Sequence, residues 1–111
     1  MGAARLSSAE AKKYTQRLQM KVDSLGVDLN DCILALGLDN DARPGGERHT
    51  IVSYSQKMAQ KGATYGQVLN HEVPIPGGGK HKITTRDLAG FVCANGFCKL
   101  IDPKTKLVII S

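Results

Sequence analysis

The stretch "TTRDLAGFVCANGFCKLIDPKTKLVIIS", Thr84 to Ser111, decides the fold class. Thr84 or Thr85 is suited to cap a helix over "RDLAGFVCAN", since a threonine oxygen accepts an orphan N–H of the first turn. Thr84-x-x-Asp87 has the spacing of a capping box, and Gly96 is placed to stop the helix. The runs "FCKLID" and "KLVIIS" then flank "PKT", which predicts two antiparallel strands joined as a hairpin. The consecutive apolar residues of "LVII" predict a strand covered on both faces or paired centrally. A helix feeding a hairpin, with helices upstream, is an α+β architecture.

Upstream of that stretch the pattern is helical. Ser7 or Ser8 can cap a first helix whose Ala11, Tyr14, Leu18, Val22 and Leu25 fall on one face, with Gly26 as its left-handed stop. Lys13, Arg17 and Lys21 form a stripe beside that face. "DLNDCILALGLDND" reads as a short helix capped by Asp28 or Asn30, because aspartates gather at one end; its unbroken apolar run leaves a buried strand open. "DNDARPGGERH" is a loop by composition and the candidate hinge, over residues 39–48. "TIVSYSQKMAQKG" predicts a helix capped by Thr50 and stopped at Gly62, and "TYGQVLN" a further turn. Pro74 and Pro76 prevent "HEVPIP" from continuing it, and that segment is a poor strand. Residues 1–111 are expected to form a single domain.

Composition narrows the class. With 41% apolar residues, 5% aromatic and no tryptophan, the core has to come from Leu, Ile, Val and Ala, leaving little aromatic surface to stack on bases. Cys32, Cys93 and Cys98 are odd in number and lack framework spacing, which predicts a reducing, intracellular setting, cytoplasmic, nuclear or organellar. No run is apolar for long enough to cross a membrane, so no membrane association is expected. Leu6 stands where a myristoylation motif needs Ser or Thr, and the opening residues have transit-peptide composition as well as helical character. Net charge is +5, unevenly spread: residues 1–21 hold +4, residues 22–47 hold −5 and residues 48–111 hold +6. A basic C-terminal half points to an anionic partner.

The candidate site lies just before the decisive stretch. Gly77, Gly78 and Gly79 can turn successive N–H groups into a concavity for an anion. Lys80, Lys82 and Arg86 add charge, His81 a proton-dependent charge, and Thr84 the start of a helix. The match to a P-loop fails, since His81 follows Gly79-Lys80 and Pro74 takes the first glycine's place. A dinucleotide fingerprint would need a good strand before the glycines. The capping box explains Thr84 and Asp87 by helix stability alone, and a flexible connector explains the glycines. Residues 84–110 also echo winged-helix DNA-binding domains, in order of elements rather than in sequence, and a wing carrying Lys99, Lys104 and Lys106 could touch phosphates.

Other chemistries fit less well. Cys93-x4-Cys98 with His71 and His81 lacks the close pairs of structural zinc, so no metal or other cofactor is expected. His49, His71 and His81 are the residues a small metal-independent phosphodiesterase or nuclease would use as general acids and bases. The expected function is therefore a basic, non-catalytic module that contacts RNA or DNA backbone without strong sequence preference. An accessory subunit of a larger assembly, docking or self-associating through the first helix and the terminal strand, is the rival, and the nuclease is the third.

Overall fold

The computed structural model describes residues 7–110. The myristoylation reading, at Met1–Leu6, lies outside them; of the opening stretch 1–19, whose composition suited a transit peptide or a helix, the residues from Ser8 on are helical. The protein is α+β, with four short or medium helices around two small antiparallel sheets.

Helix α1 spans Ser8–Leu25. Ser7 caps it, its hydroxyl accepting from the Glu10 N–H while the Glu10 carboxylate accepts from the Ser7 N–H. Ala11, Leu18 and Val22 are its buried face, and Gly26 closes it at φ 67°. The next segment departs from the expected helix. A 3₁₀ turn, Leu29–Asp31, is capped by Asp28, and strand β1 follows at Ile33–Leu36. The apolar run has no helical period, and the aspartates cap only the turn, so packing chooses the strand.

Helix α2 runs Glu47–Gln60, starting three residues earlier than Thr50, with Gly46 at its N-cap. Ile51, Val52, Ser55 and Ala59 are buried, and the Ser55 hydroxyl is satisfied by the Ile51 carbonyl. The 39–48 loop is fastened to α2, because the Asn40 amide donates to the His49 carbonyl and the Ser53 hydroxyl. Helix α3, Tyr65–Val68, is one turn with a Thr64–Gln67 capping box. Helix α4, Thr85–Ala89, carries the Thr84–Asp87 box and passes into a π-helical turn over Gly90–Ala94. Leu88, Ala89, Gly90, Phe91 and Val92 are all buried, so the helix before the last hairpin is a core element.

Strand β4, Cys98–Ile101, is central between β1 and β5, Val108–Ile110. The register pairs Leu34 with Leu100 and Ala35 with Lys99. Leu34, Cys98 and Leu100 face the core beneath α2, while Lys99 points outward. β5 is therefore an edge strand, half-exposed at Val108, where the sequence suggested a fully covered one. β4, in the middle, takes the covered place. The connection is also longer than "PKT": the buried Asp102 carboxylate accepts from the N–H groups of Lys104 and Thr105, an Asx-type turn that only tertiary folding could reveal.

Beyond β1 the ladder is extended by Gly37 N–H to Phe97 C=O and Leu38 N–H to Gly96 C=O. A Cβ on Gly37 would lie 2.1 Å from the Gly96 oxygen, so only glycine permits this backbone approach. The second sheet is the hairpin of β2, Glu72–Pro74, and β3, Lys80–Lys82. Neither strand was expected from "HEVPIP" and the glycines. Pro74 is tolerated because a two-stranded ribbon leaves one edge of each strand free of a ladder.

Candidate functional site

The three glycines form the tip of the β2–β3 hairpin rather than a connector into a helix. Gly77, Gly78 and Gly79 take φ of 87°, 98° and 82°, a run of left-handed residues that side chains other than glycine's would resist. The Gly78 N–H donates to Ile75 C=O and the Ile75 N–H to Gly79 C=O, so the middle glycine donor closes the turn. An anion-holding nest alternates right- and left-handed residues; these three share one hand.

On β3 the side chains alternate. Lys80 and Lys82 are exposed, while His81 turns inward between two carboxylates. Its Nε2 donates to Asp87 Oδ2 at 2.7 Å, and its Nδ1 faces Glu47 Oε1 at 3.6 Å. Asp87 Oδ2 also accepts the Thr84 N–H, and the Thr84 hydroxyl accepts the Asp87 N–H. His81 and Thr84 are thus engaged in fastening the hairpin to the starts of α4 and α2. Arg86, one residue into the helix, stays exposed beside them in the chain.

The hairpin lies along α2, where the ring of Tyr54 stacks on that of His71 at 4.7 Å between centroids. His49 sits two residues from Glu47, about 200° around the helix, on the side fastened to the Asn40 loop. The histidines of the nuclease reading are therefore placed by three different sets of partners. No cluster of three or more metal-ligating side chains forms among the described residues. Burial pushes the Cys98 thiol up to about 11 and raises that of Cys93, against which Arg17 pulls the other way. Cys32 is raised by burial and then by Asp102, Asp28 and Asp31, so Asp102 of the terminal hairpin lies near the start of β1 together with the two aspartates that precede it in the chain.

Lys99, Lys104 and Lys106 belong to the other sheet. Lys99 is on the outward side of β4; Lys104 and Lys106 are in the β4–β5 turn, with Lys106 at φ 63°. The eleven residues singled out from the sequence thus fall into two groups in separate sheets, one around β3 and the start of α4, one on the terminal hairpin. The terminal hairpin's basic neighbours are instead Lys13, Arg17 and Lys21 of α1, which share a groove with Ile109 and Ile110. Their stripe is visible in the sequence, but nothing there places it beside β5. None of Lys80, Lys82, Arg86, Lys99, Lys104 or Lys106 makes an ion pair with a described residue.

Aromatic rings are mostly withdrawn. Tyr65, Phe91 and Phe97 are buried, the two phenylalanines edge to face at 5.9 Å. In the short helix before the terminal hairpin, Asn95 accepts from Arg48, which leaves Arg86 as its one long exposed polar side chain. No protein-family model, curated protein or solved structure matches the chain. No helix among the described residues is long and apolar enough to cross a membrane.

Proposed function

We propose that the chain is a small, intracellular, non-catalytic binding module for a polyanion, with RNA or DNA backbone as its partner and little sequence preference. One observation carries the reading: Lys80, Lys82, Arg86, Lys99, Lys104 and Lys106 are all exposed and none makes an ion pair with a described carboxylate, although Glu72 stands opposite Lys82 in the ladder. A protein that keeps such charges unpaired gains affinity for phosphate by displacing the counterions condensed on it. Lys80, Lys82 and Arg86, contiguous through β3 and α4, are the primary contacts. Lys99, Lys104 and Lys106, on the other sheet, are further contacts. The glycine tip keeps the backbone low beside Lys80, so a phosphate can approach without meeting side chains.

The withdrawn aromatic rings favour backbone contact over base stacking. Arg86 is the one long exposed polar side chain of α4, too few for a helix to read base edges, so the contacts are to the backbone and binding is indifferent to sequence. The inward His81 is paired with carboxylates on both ring nitrogens and contributes shape, not charge, to this surface.

The test titrates the full chain into labelled duplexes of two unrelated sequences and into the matching single strands. Equal affinity for the two sequences is expected. Replacing Lys80, Lys82 and Arg86 together by Ala should weaken binding by about tenfold at moderate salt. Unchanged affinity in that variant, or strong discrimination between the sequences, would overturn the reading.

A further inference from the structure

The sharpest unpartnered feature lies away from the β3 surface. Between α1 and the edge strand β5 runs a groove of about 680 Å³. Met20, Ile109 and Ile110 give it an apolar floor, and Lys13, Arg17 and Lys21 a basic rim. Among the described residues no carboxylate and no aromatic ring lines it. Met20 is 72% exposed, and Leu107 and Val108, leading into the strand, are 68% and 49% exposed. β5 pairs only with β4, and the N–H and C=O groups of its other edge have no backbone partner among the described residues.

These features ask for different things, and one class of partner meets them all. The free N–H and C=O groups of that short edge are satisfied by another extended peptide, which adds as a strand. The apolar floor asks for apolar side chains at alternate positions of that peptide, because strand side chains alternate between faces. Three unpaired cations with no carboxylate among the groove's lining residues ask for acidic side chains in that peptide. A second copy of this chain would bring the same cations and the same lysine-flanked strand against them, so charge disfavours self-pairing. A nucleic acid could meet the cations, but it has no amide array for the strand edge, and no ring is there to stack on its bases.

The geometry points to the α1–β5 groove as a docking site for an extended acidic segment of another protein, alternating carboxylate and apolar side chains, bound by strand addition to β5. The site shares no residue with the β3 surface of the proposed polyanion contact. Either can fail without the other.

A labelled peptide of alternating glutamate and valine, followed by fluorescence anisotropy with the full chain, is the probe. The expected result is salt-sensitive binding, weakened about tenfold or more by the paired substitutions Arg17→Glu and Lys21→Glu. Both positions are exposed, so circular dichroism should show an unchanged fold, and affinity for duplex nucleic acid should stay as it was. In the complex, amide exchange should slow at the β5 N–H groups that face away from β4, since the added ladder protects those groups. Four results would overturn the inference. They are no binding, equal binding of a lysine–valine peptide, equal binding when prolines replace the valines, and loss of nucleic-acid rather than peptide binding in the double variant. Concentration-dependent dimers in light scattering, abolished by Val108→Asp, would assign the edge to a second copy instead.

Discussion

At the scale of single residues, burial decides which groups are chemically available. The Cys98 thiol is raised from 9.0 to about 11 by desolvation, and the Tyr65 phenol from 10.0 to about 12, desolvation outweighing a hydrogen bond to Thr85. Both groups are neutral when protonated, so the folded chain holds their protons longer than the unfolded one. Their contribution to stability is complete below about pH 9, where neither state ionises, and declines as pH rises through the interval in which the unfolded chain alone loses the protons. Urea midpoints should therefore stay level toward pH 9 and fall steadily between about pH 9 and pH 12. A midpoint that stays level up to pH 11 would contradict the burial described here. Under ordinary conditions Cys98 is a core residue and not a nucleophile, since the thiolate is the reactive form.

At the scale of elements, two carboxylates on either side of one imidazole fasten three of them. Asp87 completes the cap of α4 through the Thr84 N–H and holds His81 of β3, whose other ring nitrogen faces Glu47 at the start of α2. Losing a helix cap costs about 1 kcal/mol, and losing a charge-assisted bond in a partly buried place costs about as much again or more. Asp87→Ala should lower unfolding free energy by about 2 kcal/mol, and Thr84→Ala by about 1 kcal/mol, as read from denaturant curves. Equal losses in the two variants would mean that the tie to the hairpin adds nothing.

Which elements were legible follows from where their determinants lie. α1 and α4 announce themselves because Ser7, Glu10, Thr84 and Asp87 act within one turn of chain. β1 does not, because four adjacent apolar residues have no period, and the choice of strand rests on pairing with β4, more than sixty residues on. The β2–β3 hairpin is hidden by its own chemistry: two prolines and three glycines are loop residues by local rule. Only its packing along α2 and the inward His81 make it a sheet. The π turn at Gly90–Ala94 continues the expected helix without any local mark of its changed geometry.

For the whole molecule, charge is sorted by the fold as it is along the chain. Asp28 and Asp31 of the acidic middle lie by Cys32 before β1, Glu47 reaches His81 of β3, and the basic ends supply the exposed cations of β3 and the α1–β5 groove. The basic residues themselves could be read from the sequence; their division could not. Residues 77–106 look like one continuous patch in the chain, but the intervening helix is spent on the core and its two flanks join different sheets. The cations of β3 and α4 thus belong to a different sheet from the α1–β5 groove, which adds a strand edge and apolar side chains to its charge. Such a module could hold a nucleic acid and an acidic protein segment at once.

The central claim is that the exposed cations of β3 and α4, which form no ion pair with a described residue, neutralise phosphates. The salt dependence of duplex binding measures this most directly, since each phosphate neutralised contributes about 0.9 to the slope of log K against log salt concentration. Replacing Lys80, Lys82 and Arg86 by Ala should make the slope shallower by about 2.7, with the native fold retained. Parallel lines for the two proteins, differing in height or not at all, would contradict it.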